Sequence, residues 1–107
     1  MSWPAPPEPE TYVLRLFVAG TTTRSQNAIT NVRRICDLHL AGRFELEVID
    51  VYAHPQATVD FQIVATPTLV KVSPFPLRRI VGDLSDRRRV IDGLGLDLAG
   101  GSRRTPT

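Results

Sequence analysis

In a chain of 107 residues there is one cysteine, Cys36, one lysine, Lys71, and only two histidines, His39 and His54. A single cysteine excludes an internal disulfide and a cysteine-only metal site. Two histidines far from other ligand-type residues give no zinc pattern. No apolar run comes near the length that crosses a bilayer, and Met1 to Glu10 lacks the basic start and apolar centre of a signal peptide. These shortages predict a cytoplasmic protein with no metal and no cofactor. A net charge of +2 is too small to imply a nucleic-acid partner. With lysine nearly absent, the basic side is almost all arginine, which suits bidentate pairing with carboxylates at protein interfaces.

What is present reads as one soluble domain: 42% hydrophobic and 22% charged residues are ordinary for a globular chain. Four prolines in Met1 to Glu10 predict a flexible arm over residues 1–10, with Trp3 as its one aromatic. The domain is expected over 11–99 and a loose, slightly basic tail over 100–107.

The central signal is Ile63 to Val72, an apolar run, then Thr66-Pro67-Thr68, then strand-type alternation. Proline cannot donate to a sheet ladder, so Pro67 belongs at the start of a strand. Thr11 to Ala19 is a near-continuous apolar run closed by Gly20, which suits a central strand covered on both faces. Thr23 with Gln26 forms a capping box for a helix whose apolar stripe is Ala28, Ile29, Val32, Ile35, Cys36 and His39, stopping at Gly42. Phe44 to Val51 alternates as a second strand, completing a right-handed parallel βαβ unit. Pro55 opens a short helix running towards Val64, and strands over Thr68 to Val72 and Leu77 to Val81 flank the rigid turn at Pro74 and Pro76. Gly82 and Asp83 lead to a last helix with Ser85 as N-cap and Val90, Ile91, Leu94 and Leu98 as its stripe, weakened by Gly93 and Gly95 in its interior. The order is βαβαββα, an α/β arrangement that resembles the thioredoxin-like fold with its cis-proline strand start.

A thioredoxin-like enzyme needs a cysteine at the start of the first helix, where the helix dipole activates the thiol. Those positions are Thr21 to Ser25 here, and Cys36 lies about three turns further on, so disulfide exchange is excluded. Cys36 reads as a core thiol, and neither histidine has an evident route to Ser25 as a base. The chain is expected not to be an enzyme. The backbone before Pro67 and the Gly82 to Asp86 turn, regions that hold glutathione in glutaredoxins, keep glutathione or peptide binding open.

Thr11 to Gly20, Val48 to Val51, Ala65 to Leu69 and Pro76 to Ser85 together resemble the KaiB family of bacterial clock proteins, over about Thr11 to Leu98. The resemblance implies a regulatory protein that binds the N-terminal ATPase ring of a KaiC-like ATPase and kinase and modulates its phosphorylation cycle, in a clock, a timer or stress signalling. It implies a slow refolding of the C-terminal half. The resting form would be βαββααβ and a dimer or tetramer; the binding form would be thioredoxin-like and monomeric. Pro67, Pro74 and Pro76 bracket the segment that would change, and Gly82, Asp83, Gly93 and Gly95 lie in it. The partner surface implied is Arg24 and Asn27 on the helix, Glu45 and Glu47 on the strand, and Lys71, Arg78 and Arg79. Asn27 stands where the family often has arginine, Glu47 where it often has lysine, Gly95 interrupts a Gly-Leu-Asp-Leu pattern, and Arg103 and Arg104 replace an acidic tail. The alternative reading is a redox-inactive thioredoxin-like adaptor or sensor module that recruits a histidine kinase, which would compete for the same site.

Overall fold

Seven residues, Tyr12–Val18, form strand β1, and their alternation sets the architecture. Tyr12, Leu14, Leu16 and Val18 enter one apolar cluster while Phe17 enters another on the opposite side. A strand apolar on both sides must lie inside a sheet. In a computed structural model that describes residues 11–96, β1 is indeed flanked on both edges. The remaining elements are α1 (Thr23–His39), β2 (Phe44–Asp50), α2 (Pro55–Asp60), β3 (Thr68–Ser73), β4 (Arg78–Val81) and α3 (Arg87–Leu94). The sheet order is β2-β1-β3-β4, with β2 parallel to β1, β3 antiparallel to β1 and β4 antiparallel to β3. The βαβαββα order expected from periodicity is the one observed, and the Thr66–Pro67 peptide at the start of β3 is cis, as are Ser73–Pro74 and Phe75–Pro76. The arm with Trp3, and Leu98, Arg103 and Arg104, lie outside the described residues.

The two sides of the sheet are covered unequally. On one side, Leu14, Leu16, Leu69 and Ile80 pack against Ala28, Val32, Ile35 and Cys36 of α1 and Val90, Ile91 and Leu94 of α3. Each large side chain fully buried there stabilises the fold by about 1.5–3 kcal/mol. On the other side Phe17, Ile49 and Val70 are buried, with Ala57 and Phe61 packed against them. Helix α2 has six residues, none buried, so it covers this side only in part. The strand registers align residues in lateral rows on that side: Glu47–Arg15–Val70–Arg79, then Ile49–Phe17–Thr68–Val81.

Helix ends correct several expectations. Thr22, not Thr23, is the N-cap of α1; its hydroxyl accepts from the Ser25 N–H, and no Thr23–Gln26 box forms. Asp86, not Ser85, caps α3 by accepting from the Arg89 N–H. Helix α1 ends at His39, and Gly42 lies in the turn beyond with φ +73°. Helix α2 stops at Asp60, well short of Val64. Its end is a Schellman turn, with Ile63 N–H donating to Thr58 O and Gln62 N–H to Val59 O, which holds Gln62 at φ +55°. Helix α3 ends the same way, Leu96 donating to Ile91 O, so Gly95 is not interior: it is the left-handed terminal residue, at φ +77°.

Gly93 is interior, and its role is steric. A Cβ there would lie 2.5 and 2.7 Å from the Cδ1 and Cγ1 atoms of the buried Ile80. The missing side chain lets α3 settle directly onto β4. Gly93→Ala would gain about 1 kcal/mol of helix propensity in an open setting. Overpacking against Ile80 costs about 1–3 kcal/mol, which outweighs that gain. We therefore expect Gly93→Ala to lower stability in denaturant titrations by about 1 kcal/mol. The same change in an Ile80→Ala background should carry no further penalty.

Candidate functional site

The start of α1 is where a thioredoxin-like enzyme would hold its thiols. Here Thr22 caps the helix and Ser25, three residues on, is buried. The Thr22 hydroxyl donates to Ser25 Oγ at 2.9 Å, and Ser25 Oγ also accepts from the Ala19 N–H at 3.2 Å and donates to the Ala19 carbonyl at 3.4 Å. The serine is thus saturated by structural bonds, and neither histidine is among its partners. The hydroxyl pair fastens the β1–α1 turn and carries no nucleophile.

Cys36 is enclosed in the main core between α1 and the sheet. Burial pushes its thiol up from 9.0 to about 12, with Asp37 adding to the rise and Arg33 opposing it. Among the described residues no three His, Cys, Asp or Glu side chains gather in a metal-holding group, and no helix is long and apolar enough to cross a membrane.

The seven residues singled out for partner binding fall into separate places. Arg24 and Asn27 are exposed in the first turns of α1. Beside them is the β4–α3 turn, joined to α1 where Asn31 Nδ2 donates to Asp83 O at 3.0 Å. The Ser85 hydroxyl and backbone N–H, both donated to Asp83, hold its carboxyl below the usual range, and Arg24 adds to the effect. Glu45 and Glu47 are exposed on β2, one edge of the sheet. Arg78 and Arg79 are exposed on β4, the opposite edge, with Arg79 Nε donating to Phe61 O at 3.2 Å. Lys71 differs: it is only 5% exposed, and its ammonium lies 5.9 Å from the Tyr12 ring centre. In this fold its side chain is held inside. Pro67 is buried at the head of β3, where Pro67 O accepts from the Gly82 N–H, tying the strand start to the end of β4. Pro74 and Pro76 flank the β3–β4 turn, whose tip exposes Phe75.

A cleft of about 610 Å³ between the sheet and α2 was not anticipated, although Glu47 at its margin was already singled out. Its lining includes Arg15, Glu47, Ile49, His54, Asp60 and Phe61. Arg15 lies 5.3 Å over the Phe61 ring, reaches Glu47 at 3.4 Å, and keeps its Nε buried without a hydrogen-bond partner. The one charge inside the apolar run from Tyr12 to Val18 was the available signal for it.

The Cys36 environment yields two outcomes. Iodoacetamide at pH 8 should leave the native chain unlabelled and label it fully in denaturant, followed by mass spectrometry. Because the folded thiol titrates above its ordinary value, its contribution to stability is complete below pH 9.0 and is lost as pH rises towards about 12. Cys36→Ser should flatten that alkaline decline.

The KaiB domain profile matches residues 15–96. The chain is 51% identical over 87 residues to the circadian clock oscillator protein KaiB of Prochlorococcus marinus, covering 81% of this chain and 74% of that one. It is 48% identical to the KaiB of Synechococcus elongatus, again over 87 residues, 81% of this chain and 85% of the relative. Among solved structures, the N-terminal domain of Synechococcus elongatus SasA superposes with a TM-score of 0.68 at 28% identity, over 88% of this chain and 92% of that one. The Drosophila melanogaster thioredoxin Deadhead superposes with a TM-score of 0.64 at 14% identity, over 79% of each chain, a likeness of fold alone. With the domain match spanning nearly all of the described residues and its relatives half identical to it, the chain belongs to the KaiB family.

Proposed function

We propose that this chain is a non-enzymatic clock or timer protein of the cytoplasm. It docks on the N-terminal ATPase ring of a KaiC-like ATPase and kinase and modulates the phosphorylation cycle through a slow change of fold. The observation that carries this reading is the 48–51% identity to circadian clock oscillator proteins. A helix start filled by Thr22 and Ser25 hydroxyls, with Cys36 buried, supports a role in binding over one in thiol chemistry.

The docking surface in this reading uses Arg24 and Asn27 with the acidic strand residues Glu45 and Glu47, joined by Arg78 and Arg79. Lys71 would contribute from the alternative packing, in which its side chain need not be enclosed. The end of β2 is fastened to the turn that leads into α1, where Gly20 N–H donates to the Asp50 carboxylate at 3.2 Å, which supports reading the two elements together. The C-terminal half carries features that fit a competing fold, with a resting dimer or tetramer. Among the described residues, both non-glycine residues at positive φ, Gln62 and Leu84, lie in it, and α2 buries no residue. Left-handed backbone at an ordinary residue costs about 1–2 kcal/mol, of the size that separates two packings of one sequence.

A second reading, a redox-inactive adaptor or sensor module that recruits a histidine kinase, is favoured by the fold likeness to the SasA N-terminal domain at a TM-score of 0.68.

Size-exclusion chromatography with light scattering, on the chain with a purified KaiC-like ATPase and ATP over hours, tests the first reading. Slow conversion of dimers or tetramers into ATPase-bound monomers is expected; a chain that never enters the complex would remove it. Gln62→Gly relieves the left-handed strain and should stabilise the thioredoxin-like fold by about 0.5–1 kcal/mol after glycine's own entropy cost. If that fold is the docking form, the complex should then form up to roughly 5-fold faster. An unchanged rate beside a measured gain in stability would argue against the fold switch as the slow step.

A further inference from the structure

Helix α2 leaves a cleft against the sheet, and a cation stands in its lining. Arg15, the middle residue of β1, shares that lining with Val48 and Ile49 of β2 and with Ala57 and Phe61 from the α2 side. Stacking over the Phe61 ring at 5.3 Å holds the guanidinium in one place. Its hydrogen bonding is unfinished. Arg15 Nε is buried with no partner, and Nη1 meets Glu47 at 3.4 Å through a single pair of atoms. A guanidinium carries five donors, and a half-buried one short of acceptors is costly to keep. The site is therefore held ready for an acceptor that the chain itself does not supply.

The other groups in the cleft restrict what that acceptor can belong to. Glu47 and Asp60 bring two carboxylates beside the one guanidinium, and exposed His54 lines the cleft with them. Two carboxylates repel a phosphate or any other dianion, whereas an uncharged apolar molecule would cover Arg15 and give it nothing. A molecule with one carboxylate and one ammonium answers both signs. Its carboxylate takes the Arg15 Nη donors, and its ammonium takes Glu47 and Asp60. The Arg15–Glu47 contact is long and Glu47 is 63% exposed, so opening it gives up little. Ile49, Ala57 and Phe61 offer an apolar wall to the remainder of the ligand. The volume of about 610 Å³ falls inside the range of roughly 300–1,000 Å³ usual for small-molecule sites, which favours a ring over a methyl group.

We propose that the cleft between α2 and the sheet binds a free α-amino acid with a large apolar side chain. Arg15 holds its carboxylate, Glu47 and Asp60 hold its ammonium, and the apolar wall takes its side chain. This site is independent of the ATPase reading. Glu47 belongs to both, so the test uses the full chain alone.

Nitrogen-15 NMR titration of the folded chain with L-phenylalanine should give saturable shifts at millimolar ligand or below, concentrated in residues 15, 47–49 and 53–61. Phenethylamine, which lacks the carboxylate, and N-acetyl-L-phenylalanine, which lacks the ammonium, should each bind at least about 10-fold more weakly. Arg15→Gln should weaken L-phenylalanine by about the same factor and leave phenethylamine unaffected, which separates a lost carboxylate contact from a disturbed cleft. Glu47→Gln should weaken L-phenylalanine and spare N-acetyl-L-phenylalanine. Circular dichroism establishes that each variant is folded; where Arg15→Gln does not fold, the comparison of the three ligands on the unaltered chain decides. Absence of saturable shifts with L-phenylalanine overturns the proposal, as do shifts centred outside the cleft. Equal binding of L-phenylalanine and phenethylamine, or binding indifferent to Arg15→Gln, overturns it in favour of a merely apolar cleft.

Discussion

Everything in this molecule depends on β1 having to be buried from both sides. Tyr12, Leu14, Leu16 and Val18 require cover on one side and Phe17 on the other, so β1 cannot be an edge strand and its neighbours must come from distant parts of the chain. Helix α1 satisfies the first demand over most of its length. Helix α2 meets the second with a single short segment, so Arg15 is tolerated in the middle of an otherwise apolar strand. It spreads its guanidinium over Phe61 and reaches Glu47 at the margin of the cleft that α2 leaves open. The inequality between the two sides places the charged rows and the cleft on the same side of the sheet.

The order of elements was legible because it rests on local periodicity. The alternation of Phe44 to Asp50, the helical stripe through Ala28, Val32 and Ile35, and the proline at the head of β3 each specify one conformation with little help from the rest of the chain. Helix boundaries were less legible because neighbouring residues compete for one role. Thr22 and Thr23 are equally good caps in composition, and the bond from Thr22 to the buried Ser25 decides between them. Asp86 prevails over Ser85 at α3 while Ser85 instead donates to Asp83. Gly93 could not be understood from its own helix, since the reason for it is Ile80 on another element.

The charged residues were the least legible, because a sequence shows which side chains are polar and not which edge or side of a sheet they occupy. Arg24, Glu47 and Arg79 read alike as surface charges, yet one is on a helix start and the other two terminate a single row on opposite edges. Lys71 shows the reverse. Its ammonium is drawn over the Tyr12 ring on the side of β3 where its neighbour two residues back, Leu69, is fully buried. Membership of the KaiB family goes with the fold, whereas the places of the charged side chains follow from the strand registers.

The Thr22–Ser25 hydroxyl pair also governs how the protein meets oxidants. Apart from Met1, the sole sulfur in the chain is the shielded, un-ionised Cys36, and the position that would sense electrons holds two alcohols. Alcohols neither couple nor discharge when glutathione shifts between its reduced and oxidised forms. A chain built this way offers no exchangeable thiol at that position, so a shift in the glutathione balance leaves Thr22 and Ser25 covalently unchanged.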